Sequence, residues 1–299
     1  MKFFYSDTFN LNLPPGHRFP ARKYSLLRET LISESILSED MLHLSPLANK
    51  EDVLRAHDSD YVMRFETGTL DEKEIRRIGF PWHSRLVTRT LASTGGAVAA
   101  AFQALEDGLS GQLAGGTHHA HRDFGSGYCI YNDFAVAALA VLAANAATRV
   151  AIVDLDVHQG DGNAAILGPH ENVFVFSMHG DKNFPFRKVP SDYDVPLPDG
   201  IEDDAYLAML EHHLPAVWGF KPDLVLYQAG VDPLTHDRLG RMSLSYEGLM
   251  TRDRMVLKGC KDRNIPISMG IGGGYSDPIE QSVRAYVNTY QVAKGLFGF

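Results

Sequence analysis

The sequence predicts one α/β domain over residues 1–299, built on a single open, mostly parallel β-sheet sandwiched by helices. Three observations predict it. In the C-terminal half, short β-branched runs alternate with longer stretches of helical periodicity, the pattern of strand–helix–strand units with parallel strands. The strand candidates are continuously apolar, as strands buried on both faces are. A chain of 299 residues at 44% hydrophobic content can bury one large core without staples.

The first 85 residues are irregular. They are expected to add an edge strand, helices and loops around the sheet, with a helix over Tyr24–Leu37, where apolar residues recur near helical spacing. An Ala-rich helix follows over Val87–Leu105, whose Gly95–Gly96 pair permits close packing. A short strand precedes Gly115 in GQLAGG. Further strands are expected at Val150–Val157 (VAIVDLDV), Asn172–Met178, Asp223–Gln228 and Ile265–Gly270, with helices at Asp133–Ala144, Asp203–Trp218, Ser245–Lys261 and Asp277–Leu296. No repeat or low-complexity linker divides the chain.

Composition narrows the function. The net charge is -9 with acids and bases intermixed, which argues against a nucleic-acid partner. Two cysteines, Cys129 and Cys260, make no disulfide framework and fit a reducing compartment. The N-terminus has no long apolar run, and the apolar stretch Phe134–Val153 is interrupted by Asn145, Thr148 and Arg149. A soluble, cytoplasmic protein without a membrane partner is expected.

Ligands of open α/β sheets bind outside the carboxyl ends of the strands, and here those ends carry chemistry. Thr117-His118-His119 follows the short strand. Asp154, Asp156, His158 and Asp161 stand at and after the end of VAIVDLDV. Asp232 follows DLVLYQAGV, and Tyr275 follows three glycines after IPISMG. Asp156-x-His158 has metal-ligand spacing where a strand frays into its loop. Asp232 can complete three ligands and leave a position open for water or substrate, as catalytic sites do. Two carboxylates and one imidazole suit zinc, and also iron(II) or cobalt. Read blandly, Asp156 caps a helix and His158 is a satisfied core histidine. The adjacent His118-His119 pair offers general-base chemistry or further ligands, with Asp154 and Asp161 each able to orient an imidazole. A Tyr275 hydroxyl can stabilise a developing oxyanion. His212-His213 reads as helix surface, and Cys129 as packing.

These residues bear a resemblance. GHRFPARKY (16–24), GGTHHAHRDFGSGYCIYND (115–133), VAIVDLDVHQGDGN (150–163), YQAGVDPLTHDRLGRM (227–242) and GIGGGY (270–275) together resemble the histone deacetylase superfamily, in particular its class IV branch and bacterial relatives, over nearly the whole chain. The resemblance implies the arginase/deacetylase fold and a zinc-dependent deacylase. Asp156, His158 and Asp232 match its zinc ligands, His119 its general base, His118 the second histidine, and Tyr275 its oxyanion-binding tyrosine. Asp154 would pair with His118, and Asp161 with His119. A potassium ion is implied at Asp154 and Ser177 with the carbonyls of Asp156, His158 and Met178. Gly127, Tyr128, Phe184 and Leu239 fall where the family lines its acyl-lysine tunnel.

The implied partner is an acylated lysine in a protein or peptide, or a small acyl-amine. There are departures. The acid with which classical members grip the substrate backbone has no counterpart in RIGFPWHSR (77–85). Lys23 stands near the place of an internal-channel arginine. Leu239 replaces the acidic gatekeeper of polyamine deacetylases. An arginase-like two-metal site is disfavoured by Gly160 and Gly230, which occupy the places of its additional carboxylates. A small-amide or ester hydrolase, and a non-catalytic acyl-lysine binding module, are the remaining alternatives.

Overall fold

The computed structural model describes residues 1–299. An eight-stranded sheet runs in the order β2-β1-β3-β8-β7-β4-β5-β6, and every pairing in it is parallel. The strands are β1 Phe3–Tyr5, β2 Leu42–Leu44, β3 Leu109–Gln112, β4 Val150–Asp154, β5 Val173–Gly180, β6 Tyr193–Leu197, β7 Leu224–Gln228 and β8 Ile267–Gly270. The central strands are apolar throughout because both faces are covered. Val150, Ile152, Leu224 and Leu226 pack under one helical layer, while their neighbours Ala151, Val153, Val225 and Tyr227 join the core on the opposite face. Burying each Val, Leu or Ile among them contributes roughly 1.5–3 kcal/mol.

One layer contains α5 (Ser84–Asp107) and α6 (Asp133–Ala143), apolar from Phe134 onward, which pack on each other. Gly95 meets the loop after β2 so closely that a Cβ there would stand 2.2 Å from the Pro46 carbonyl oxygen, the close packing expected of that pair. The other layer contains α1 (Lys23–Ser33), α10 (Tyr246–Asp262) and α11 (Glu280–Phe297). No helix is long and apolar enough to cross a membrane.

The structure departs from the sequence-based expectation in five places. β4 ends at Asp154 and not Val157, so Asp156 and His158 lie in the loop. The region before residue 85 supplies two edge strands, β1 and β2, and the short helices α2 (Lys50–Ala56), α3 (Ser59–Thr67) and α4 (Glu72–Ile78). Pro215 divides the expected helix 203–218 into α8 (Asp203–His213) and α9 (Pro215–Phe220), because proline cannot donate the next helical bond. α7 (Asp161–Leu167) is a single short helix after the β4 loop. Edge strand β6, whose burial alternates and which contains Pro196, lacks the continuous apolar signal.

From β4 the chain proceeds outward through β5 to β6, then returns to place β7 on the other flank of β4. The crevice between β4 and β7 is therefore the switch point of the sheet, where loops diverge and leave room for a ligand.

Candidate active site

Asp156 and His158 leave the end of β4, and Asp232 leaves the end of β7, so the switch point brings all three together. Their candidate donor atoms lie within 4.8 Å of one another, all on buried residues. His158 Nδ1 is 3.0 Å from Asp156 Oδ1 and 2.9 Å from Asp232 Oδ2. Backbone amides fix both carboxylates. Gly273 N–H donates to Asp156 Oδ2 at 2.6 Å, and Val157 N–H to Asp232 Oδ1 at 2.9 Å. Beneath them, Arg252 donates to the carbonyls of Leu155 at 3.2 Å and Gly230 at 2.6 Å, tying the two loops that carry Asp156, His158 and Asp232 to α10.

The electrostatics of the cluster call for a cation. Burial disfavours charge on His158, yet Asp232 and Asp156 raise its pKa to about 10, so the imidazole takes a proton to balance two carboxylates. Burial and the like charge of Asp156 push Asp232 up to about 7. Asp232 Oδ2 is buried without a hydrogen-bond partner, an orphaned acceptor beside an imidazole nitrogen. A divalent ion satisfies that oxygen and displaces the proton, so the residues fit a single cation.

Beside this cluster stand the paired histidines. The loop after β3 that carries them is held by Asp133, the first residue of α6. Its carboxylate accepts from the N–H groups of Gly116 and Thr117, both at 3.0 Å, and from the Thr117 hydroxyl at 2.7 Å. His118 Nδ1 lies 2.8 Å from Asp154 Oδ2 and His119 Nδ1 lies 2.6 Å from Asp161 Oδ1. The second oxygen of Asp161 is 3.0 Å from His121 Nε2.

The two imidazoles are in different states. Burial opposes charge on His118, but Asp154 and Asp156 together raise its pKa to about 9. Burial and the adjacent His118 charge lower His119 to about 4. One side chain is therefore a cation and its neighbour a neutral base at the same pH. A carboxylate at Nδ1 of His119 holds the proton there and leaves Nε2 as the basic nitrogen.

A cavity of about 590 Å³ opens over these groups. His118, His119, Asp156, His158 and Tyr275 line it, together with Gly127, Tyr128, Phe184 and Leu239. The Phe184 ring stands edge-on to His119 at 4.8 Å between centroids. Burial and Asp156 raise the Tyr275 phenol well above its ordinary value, so it stays protonated and can donate. Asp237 positions it. One oxygen accepts from Tyr275 N–H at 2.6 Å, the other from Leu239 N–H at 2.8 Å and Gly240 N–H at 3.0 Å. Lys23 is buried at the inner end, donates to the Gly272 carbonyl at 3.0 Å, and is lowered by burial to about 8.

Cys129 lines the cavity, but burial raises its thiol far above the reactive range. Asp154 and Ser177 are cross-strand partners on β4 and β5, with Met178 next along. The Ser177 hydroxyl lies 2.9 Å from His179 Nδ1. His212 and His213 end α8 and take no part in the site.

Sequence reasoning did not single out Asp133, Asp237 or Arg252. Their role is to hold backbone; the only sequence signal for Asp133 and Arg252 is a charged residue within an otherwise core-facing stretch, and Asp237, among exposed loop residues, has none. The contact of His121 with Asp161 arises from the fold.

Fold and geometry together define an α/β protein with a buried two-carboxylate, one-imidazole cation cluster beside paired histidines at the sheet's switch point. The family model for the histone deacetylase domain matches residues 17–290. An uncharacterized protein of Picosynechococcus sp. is 42% identical over 98% of both chains. Histone deacetylase 2 of Arabidopsis thaliana is 31% identical over 76% of this chain and 62% of its own length, and human histone deacetylase 1 is 30% identical over 83% and 54%.

Among solved structures, an HDAC homolog complexed with SAHA aligns at TM-score 0.82 and 25% identity, covering 100% of this chain and 88% of that one. An HDAC homolog from Aquifex aeolicus aligns at 0.80 and 25%, covering 99% and 88%. The chain belongs to the histone deacetylase family. That membership supports deacetylase-type hydrolysis of amides, with acylated amines as the substrate class.

Proposed function

We propose that the chain, acting as one catalytic domain, is a zinc-dependent deacylase that hydrolyses the amide of acylated lysine. The observation that carries the reading is the convergence of Asp156, His158 and Asp232 at a cavity that a neutral His119 and a protonated Tyr275 also line; Asp232 stands buried behind its wall. Those three side chains would hold a single zinc ion, with iron(II) or cobalt as chemically reasonable substitutes. A bound cation supplies Lewis acidity toward the acyl carbonyl and the attacking water.

His119 accepts the water proton at Nε2 while Asp161 steadies Nδ1–H. The water oxygen bonds to the acyl carbon, and Tyr275 donates a hydrogen bond to the resulting oxyanion. His119 then returns the proton to the amine nitrogen as the C–N bond breaks. The His118 imidazolium, balanced by Asp154, adds positive potential beside the same centre. Gly127, Tyr128, Phe184 and Leu239 form the walls that enclose the aliphatic side chain of the substrate. Asp154 and Ser177, with the carbonyls of Asp156, His158 and Met178, are assigned to a structural potassium ion.

The test is turnover of a panel of acetyl- to myristoyl-lysine peptides by wild type, His119→Ala and Tyr275→Phe. Expected losses in kcat are about 10²–10⁴-fold for the first and about 10²–10³-fold for the second. One zinc per chain should remain bound by elemental analysis. Full activity in either variant would defeat the role assigned to that residue, and two metal ions per chain would favour arginase-type chemistry.

A further inference from the structure

The mouth of the cavity carries the opposite sign of charge to the chain. The protein as a whole is at -9, yet the only carboxylate lining the cavity is Asp156 in the cation cluster. The other charged lining residues are Arg76, Arg77, Lys182 and Arg241, with Lys23 within. Neighbouring acids leave this rim incompletely neutralised. Arg76 reaches Glu72 at 3.2 Å, and Lys182 and Arg241 share Asp199 at 3.9 and 3.3 Å. Arg77 lies over the Phe124 ring at 4.6 Å and forms no ion pair.

The rim cations are mounted on the tunnel wall. The carbonyl of Arg77 accepts from Gly127 N–H at 3.1 Å, and that of Ile78 from Tyr128 N–H at 2.8 Å. Across the mouth, the Asn183 amide donates to the Leu239 carbonyl at 2.8 Å, joining the crossover that carries Lys182 to the loop that carries Arg241. A helix C-terminus accounts for arginines in the last turn of α4. It does not account for Lys182 and Arg241, which project from two loops. Bases drawn from three segments around one opening form a positive funnel over a low-dielectric pocket, which concentrates anions there.

We propose that the substrate presents carboxylates beside its acylated amine, either as acidic residues flanking an acyl-lysine or as the carboxylate of a free Nε-acyl amino acid. This rests on the deacylase reading, in which the amide sits at the cavity floor and the groups around the lysine Cα meet the rim.

The test uses the full-length zinc-loaded protein and Nε-acetyl-lysine peptides flanked by two Glu, two Gln or two Lys, alongside free Nε-acetyl-lysine and its carboxamide. At low salt, kcat/KM is expected to fall by about tenfold from the Glu-flanked to the Lys-flanked peptide. The gap should shrink to about twofold at 1 M salt as screening takes over. In Arg77→Glu/Arg241→Glu the ratio should invert, and a ratio taken on one sample is insensitive to any loss of folded enzyme. Preference for free acetyl-lysine over its carboxamide identifies the small acid as the source, and preference among peptides alone identifies acidic sequence. Equal rates for all flanks, or a ratio unmoved by the double substitution, would overturn the proposal. Anisotropy with the same labelled peptides ranks affinity without turnover. Failure to hydrolyse both the peptides and free Nε-acetyl-lysine therefore rejects the deacylase reading, while the rim stands or falls on the binding order.

Discussion

Gly273→Ala is a single methyl group aimed at the cation cluster. A Cβ on Gly273 would stand 1.8 Å from Asp232 Oδ2, where ordinary contact begins at 3.4 Å. A gap of about 1.6 Å must therefore open between them. The loop cannot supply it, because Gly273 is held at both ends. Its N–H donates to Asp156, and its carbonyl accepts from Val231 N–H at 2.9 Å and the Tyr286 hydroxyl at 2.6 Å. The backbone φ lies outside the left-handed region, so alanine brings no conformational strain of its own and the carboxylate must swing away.

That movement breaks the 2.9 Å bond from Val157 N–H to Asp232 Oδ1 and displaces one of the three proposed ligands. Stranding a buried N–H costs about 1–3 kcal/mol, and disturbing the groups around a ligand weakens metal binding by about 10–100-fold. We expect zinc affinity to fall about 100-fold, measured by competition with a chromogenic chelator, with far-UV circular dichroism unchanged. Gly295→Ala on α11 is the control, since nothing lies within 4 Å of its Cβ position. Wild-type zinc affinity in Gly273→Ala would refute the placement of Asp232 in the ligand set.

Two further outcomes follow from buried groups. His57 Nδ1 lies 2.9 Å from the His121 carbonyl and its Nε2 accepts from Asn132 N–H at 2.8 Å, and burial lowers its pKa from 6.5 to about 4. The unfolded chain takes up this proton first, so the contribution is complete above pH 6.5 and lost as pH falls toward 4. At 1.36 kcal/mol per pH unit this amounts to about 3 kcal/mol. Urea titrations across that window should show a shallower decline in His57→Gln, whose amide can replace both bonds; identical slopes would contradict the assignment. On the proposed zinc reading, binding releases protons from Asp232 and His158, so affinity should fall as pH drops from 8 to 6, and saturating zinc should raise Tm. Affinity independent of pH would exclude the proton-bearing cluster as the binding site.

The chemistry was legible in the sequence because chemically distinctive residues fell at strand ends. Four apolar runs, each followed by His, Asp or Tyr, placed His118, His119, Asp156, His158, Asp232 and Tyr275 on one edge of a parallel sheet, and side-chain identity restricted what that edge can do. Local pattern also set the fold class, since strands buried on both faces must be apolar throughout. Pattern could not say that β4 stops at Asp154, because Leu155 and Val157 are as apolar as the strand. It could not say that Asp133, Asp237 and Arg252 hold the loops bearing those groups, since a buried polar side chain is defined by partners distant in the chain. The division of His118 from His119 into cation and neutral base also belongs to the tertiary structure, which surrounds two identical side chains with different carboxylates at different depths. The same is true of the basic rim. Arg77, Lys182 and Arg241 are unremarkable surface charges in sequence, and only the fold gathers them around one opening.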